Sequence, residues 1–203
     1  MKNVKFMLVA GLCLLLGTSV NAQKVKVVSG SFASLKGQTS LNVEFNYDGM
    51  TVGKENEDAY IKRTIEAKNK AKAGDGDAWV TKWKDDRTNR YQPEFLKYLN
   101  SVIGKKGITA SEGAADARYK LIVKTLVIEP GLYTGISYAE KPTWINTIIT
   151  LVDDSGSELA KVTIDKCQGE AFSYANYDIG LRISIAYGNT GRTIGKLIAK
   201  AVK

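Results

Sequence analysis

The chain of 203 residues contains no histidine, and that absence closes most routes to catalysis. Ser-His-acid and Cys-His nucleophile systems need an imidazole to take the proton, and histidine-ligated zinc or iron sites need it as a ligand. A Ser-Lys hydrolase carries lysine three positions after its serine, and no serine here has one. Only Cys13 and Cys167 could form a disulfide, and Cys13 falls in a segment read below as removable. Cys167 then stands alone, most simply as a buried inert thiol. Carboxylates remain. Glu129, Glu140, Glu170 and Asp178 border two segments of interest, and glycan hydrolysis would need two carboxyls about 5 to 9.5 Å apart across a cleft. The sequence does not pair them, so no catalytic residue, cofactor or metal is assigned.

Two motifs invite a ligand and fail on spacing. From Gly188 to Lys196 the glycines resemble a phosphate loop, but three residues rather than four separate Gly191 from Gly195, and Leu197 stands where a hydroxyl should meet Mg²⁺. Gly74-Asp75-Gly76-Asp77 and Asp153-Asp154-Ser155-Gly156 lack the register and the later glutamate of a calcium loop. Both read as caps and turns.

The constellation with most promise is aromatic. Tyr133 and Tyr138 lie in one segment, Phe172, Tyr174 and Tyr177 in another, with Trp144 between them. Tyrosine offers rigid contact area with a polar tip, so a group of them suits recognition. They would meet only if the fold brings the two segments together. The competing reading is that they pack on one another to order two long loops.

The elements that must do this can be read from periodicity. Leu41, Val43, Phe45 and Tyr47 alternate with polar residues, the period-2 mark of a half-buried strand, and a shorter strand is expected at Lys24 to Val28. Acids crowd the start and lysines the end of a helix from about Glu55 to Ala73. Asp75 or Asp77 would cap a second helix bearing Trp79, Val80 and Trp83, and a third runs from Pro93 to a stop at Gly104. A short strand is expected near Ile108. Tyr119 to Ile128, Trp144 to Val152 and Leu159 to Ile164 are β-branched runs, the last two joined by a polar turn. Asp178 caps a final helix whose four glycines imply close packing on the sheet or a break near Gly188 to Gly191.

This order predicts an α/β (α+β) fold. A mixed sheet of about four to five strands would hold an antiparallel meander in its second half, with helices mainly on one face. In that meander the loops Glu129 to Thr143 and Gln168 to Tyr177 leave the sheet at the same end.

The amino terminus predicts where this fold works. Lys2 and Lys5 precede an apolar run from Met7 to Leu16, and Val20-Asn21-Ala22 suits cleavage before Gln23. The run is shorter than the roughly 20 residues of a membrane span, and Leu12 before Cys13 does not suit lipidation. Residues 1-22 are thus read as a signal peptide and 23-203 as a single α/β domain with a helical insertion at about 74-104, periplasmic or secreted and without a transmembrane span. The formal charge of +8 falls by the two lysines removed. Lys62, Arg63, Lys68, Lys70 and Lys72 could meet an anionic surface, against the simpler reading of a solvated helix face. Nucleic acid is not expected, because no binding motif accompanies the bases.

Two stretches carry a family likeness. Ala114 to Leu121, reading AADARYKL, resembles the A-D-Y-x-L lead-in to a strand, and Ile148 to Ala160 resembles an L-V-D-x-x-T-G-x-x-[LW] hairpin. Both are similar to the amino-terminal α/β domain of the Tol-Pal propeller protein and to curli-secretion and penicillin-binding-protein-activator lipoproteins. The Ala22-Gln23 junction resembles signal sites of Bacteroides-type bacteria. The resemblance implies a non-catalytic envelope accessory protein, bound to another envelope protein or a peptidoglycan-associated partner. The alternatives are the carboxylate-based glycan hydrolase and a carrier of a small apolar ligand in an enclosed pocket.

Overall fold

The computed structural model describes residues 23-133, 140-169 and 177-203. The proposed signal peptide lies outside them. The strands are β1 (Lys24–Gly30), β2 (Ser40–Asn46), β3 (Thr51–Val52), β4 (Glu55–Asn56), β5 (Thr109–Ser111), β6 (Lys120–Glu129), β7 (Trp144–Val152) and β8 (Glu158–Gln168). The helices are α1 (Glu57–Ala71), α2 (Asp75–Asp86), α3 (Gln92–Ile103) and α4 (Ile179–Ala201).

The sheet runs β1-β8-β7-β6-β2-β5, with β3 beside β6 and β4 beside β3. Strands β6, β7 and β8 form the antiparallel meander, and β2 lies parallel to both β6 and β5. The architecture is the expected mixed α/β one, with more strands than foreseen. The additions are β3 and β4, two residues each and too short to show a periodicity, while β5 is the short strand expected near Ile108.

One face of the sheet is apolar and covered. Leu121, Val123, Ile145, Ile149, Leu151, Val162 and Ile164 are buried, as are Phe95, Leu99 and Ile103 of α3 and Ile183, Tyr187, Ile194 and Ile198 of α4. Their alternation along each strand and their three-to-four spacing along each helix follow from the two side-chain periods. The opposite face carries Glu44, Lys120, Lys124, Thr150 and Thr163, none of them buried.

The final helix corrects one reading. It runs unbroken through Gly188 and Gly191; Gly188, Gly191 and Gly195 admit α3 rather than the sheet, and Gly180 admits the Asp86 carboxylate of α2. A Cβ at Gly191 would fall 2.3 Å from the Phe95 carbonyl oxygen, and one at Gly188 would fall 2.6 Å from the Tyr98 ring. The phosphate-loop spacing therefore has a packing explanation.

Two helix ends also differ. The residue before α2 is Gly74 in a left-handed conformation (φ 86) with no side-chain cap, so Asp75 and Asp77 sit in the first turn, where their charge suits the dipole. Helix α3 continues past Gly104 into a short 3-10 turn and ends at left-handed Gly107 (φ 77). Asn56 and Asp178 cap α1 and α4 by accepting from Ala59 and Leu181 N–H. A π-helical turn, Arg87–Tyr91, joins α2 to α3 and aims Tyr91 inward, stacked on Tyr187 with centroids 5.1 Å apart.

Candidate functional site: the tyrosine rim

The meander's register sets three strand ends level. Glu129 pairs with Trp144, and Trp144 with Gln168. Both long loops therefore leave from the same end, and half-buried Trp144 stands at their root. The first loop begins as a hairpin extension. Thr143 Oγ1 donates to Pro130 O at 2.7 Å, and Leu132 and Lys141 exchange backbone hydrogen bonds of 3.0 and 2.9 Å. Gly131 allows this approach, since its φ is +67 and a Cβ there would lie 2.4 Å from Lys141 O.

The second loop leaves under α4. Gly169 N–H donates to Thr143 O, and a Cβ on Gly169 would meet Arg182 O at 1.9 Å. The loop returns at Tyr177, just before the Asp178 cap. There the rings of Tyr133 and Tyr177 meet edge to face, with centroids 4.6 Å apart. Tyr177 is 63% exposed and Leu132, beside Tyr133, 47% exposed. Tyr133, Trp144 and Tyr177 are thus placed at one end of the sheet. Tyr138, Phe172 and Tyr174 lie outside the described residues.

Charges under this rim are engaged. Asp178 accepts from Arg90 at 2.7 Å and lies 3.6 Å from Lys82, while buried Asp86 takes Arg90 and Lys82 at 3.0 and 3.2 Å. Burial raises the Asp178 pKa, but Arg90, the Leu181 N–H and Lys82 outweigh it and hold the carboxyl below its ordinary range. An acid so held is a poor proton donor near neutral pH. Glu129 accepts from Gly131 N–H at 3.1 Å, Glu140 is exposed, and Glu170 lies outside the described residues.

Arg182, in the first turn of α4, is a group the sequence reading missed. It is nearly buried, and burial lowers its pKa against the pull of Glu140 and Asp178. Leu132 was also missed, because one apolar residue in a loop has no periodicity to mark it.

A second aromatic group lies on the helical hairpin. Trp79 stacks on Trp83 at 5.6 Å and Tyr60 touches both. Trp83 Nε1 and Arg87 both donate to Glu57 Oε1, and the Arg87 guanidinium lies 4.4 Å over the Tyr47 ring. These contacts tie the hairpin to the end of β2. On α1, Lys62, Arg63, Lys70 and Lys72 are exposed and Lys68 half-buried, with Arg63 paired to Glu55 and Lys72 to Asp75.

Asp153 Oδ1 is occupied by Ser155 and Ser157, as a turn requires. Among the described residues, no group of three or more acids and cysteines is placed to hold a metal. No helix among them is long and apolar enough to cross a membrane.

No protein-family model matches the chain, and no curated protein does. Among solved structures it is similar to the PelC dodecamer from Paraburkholderia phytofirmans, at 15% identity over 83% of this chain and 97% of that one, with a TM-score of 0.35. A minor lipoprotein from Acinetobacter baumannii is 8% identical over 80% of this chain and 93% of its own, with a TM-score of 0.36.

Proposed function

We propose that the chain is an exported envelope accessory protein, a non-catalytic binding or assembly module that contacts another envelope component through its tyrosine rim. The observation that carries this reading is the meeting of Tyr133 and Tyr177 from two separate loops, with Tyr177 and neighbouring Leu132 largely left to solvent. An aromatic pair fixed at a sheet end loses little side-chain freedom on binding, which is the property an anchor needs. The level ends of β6, β7 and β8, from which both loops leave, support the same role. The engagement of the ionised Asp178 carboxylate by Arg90 and Lys82 supports a non-catalytic role.

The test compares the wild-type protein with a Tyr133→Ala/Tyr177→Ala variant as bait in envelope extract, with folding checked by circular dichroism. Loss of a specific partner from the folded variant supports the proposal. Equal recovery of every partner rejects it.

A further inference from the structure

The outer strand β1 is the most exposed element of the sheet. All seven of its residues are exposed, and among the described residues no strand pairs with its outer edge. Three of the large apolar side chains left to solvent sit on it, namely Val25 (42%), Val27 (53%) and Val28 (49%). Edge strands are normally protected, because free N–H and C=O groups invite another strand.

The two faces of β1 differ in chemistry. Val25 and Val27 are paired with Ile164 and Val162, so they share the face that α4 covers further in. At the carboxyl end of α4 the cover is incomplete. An open groove of about 310 Å³ lies between Val27, Gly30 and Phe32 on one side and Leu197, Lys200 and Ala201 on the other. Lys24 and Lys26 project from the opposite face, across from Asp165 and Thr163, and neither forms an ion pair among the described residues. Lys161, the next cation inward, is already paired with Glu158.

This pattern selects an occupant. A second copy adding its own β1 would bring lysines toward lysines, which is unfavourable across a strand pair. An acidic segment would instead meet unpaired cations on one face and an apolar groove on the other. We propose that β1 binds, by strand addition, an extended peptide segment of another protein in which acidic and aliphatic residues alternate. The backbone groups of β1 give affinity, the groove takes the aliphatic side chains, and Lys24 and Lys26 choose the charge. This surface is separate from the tyrosine rim, since the groove lies at the carboxyl end of α4 and Tyr177 precedes its amino end.

The probes are two fluorescein-labelled peptides of about eight residues, the length of an ordinary strand, one alternating valine with glutamate and the other valine with lysine. Each is titrated by anisotropy against the chain from Gln23 onward and against its Lys24→Glu/Lys26→Glu variant, which alters only exposed side chains. The expected result is binding of the acidic peptide about tenfold tighter than the basic one, with the preference reversed in the variant. Amide shifts on binding should fall on β1 and on α4 near Leu197. Equal affinity for the two peptides, an unchanged preference in the variant, or shifts confined to other elements would overturn the proposal. So would a dimer in sedimentation equilibrium that disappears in a Val25→Glu/Val27→Glu variant, because β1 would then be occupied by a second copy.

Discussion

Gly191 of α4 lies so close to Phe95 of α3 that a Cβ on the glycine would stand 2.3 Å from the Phe95 carbonyl oxygen. Main chain meets main chain here, and no rotamer change can relieve the crowding. Gly191→Ala is therefore expected to destabilise the protein by about 1 to 3 kcal/mol, the range for overpacking, despite alanine's better helix propensity. Gly104→Ala is the control. Its φ is −57 and nothing lies within 4 Å of the added carbon, so stability should stay level or rise by up to about 1 kcal/mol. Urea titration of the two variants measures both.

The hydroxyl pair of Tyr187 and Thr125 gives a second contrast. Their oxygens are 2.6 Å apart in the fully buried core, whereas the buried Tyr91 hydroxyl has no hydrogen-bond partner. Tyr187→Phe leaves Thr125 unsatisfied and should cost about 1 to 3 kcal/mol. Tyr91→Phe removes an unpaired polar atom and should be neutral or stabilising. Thermal melts that rank the two the other way would contradict this assignment.

Asp178 predicts a pH dependence. Its carboxyl is held below the ordinary range by Arg90, Leu181 and Lys82 against the opposing effect of burial. A depressed native pKa contributes stability that is present above the unfolded value, about 3.9, and is lost as pH falls through the native one. Asp178→Asn keeps a capping oxygen for Leu181 and removes the charge. The variant should be less stable than wild type at pH 7, and the gap should close as the pH falls below 4. A gap that is constant with pH would rule out the ion pairs as its cause.

Much of this was legible from side-chain period. Strands β2, β6 and β7 and the core stripe of α3 follow from alternation and from 3.6-residue spacing, because burial on one face imposes those patterns. The Asp178 cap was legible from residue type, since a short carboxylate before an apolar stripe can accept from the free N–H groups of the first turn. The glycines of α4 were not, since glycine reports close approach without naming the neighbour, and α3 took the place assigned to the sheet. Of the rim, the sequence supplied Tyr133, Trp144 and Tyr177 through the meander's topology. Leu132 and Arg182 were invisible because their places depend on how far the hairpin extends beyond β6 and how α4 seats on Gly169.

Cys167 should be inert in the native state. It is buried, its Sγ lies 3.4 Å from Ala186 O, and burial pushes the thiol pKa up to about 11 despite a hydrogen bond with Thr190. Since the thiolate is the reactive form, a disulfide reagent at pH 8 should modify it only after unfolding in urea. Rapid labelling of the folded protein would mean the site opens readily.

The rim itself is tested most directly by placing a photo-cross-linking phenylalanine analogue at Tyr177 in cells producing the full chain, with the same group at exposed Lys70 as control. The account predicts a discrete adduct with an envelope component from position 177 and none from position 70. The same adducts from both positions, or none from 177, would contradict it.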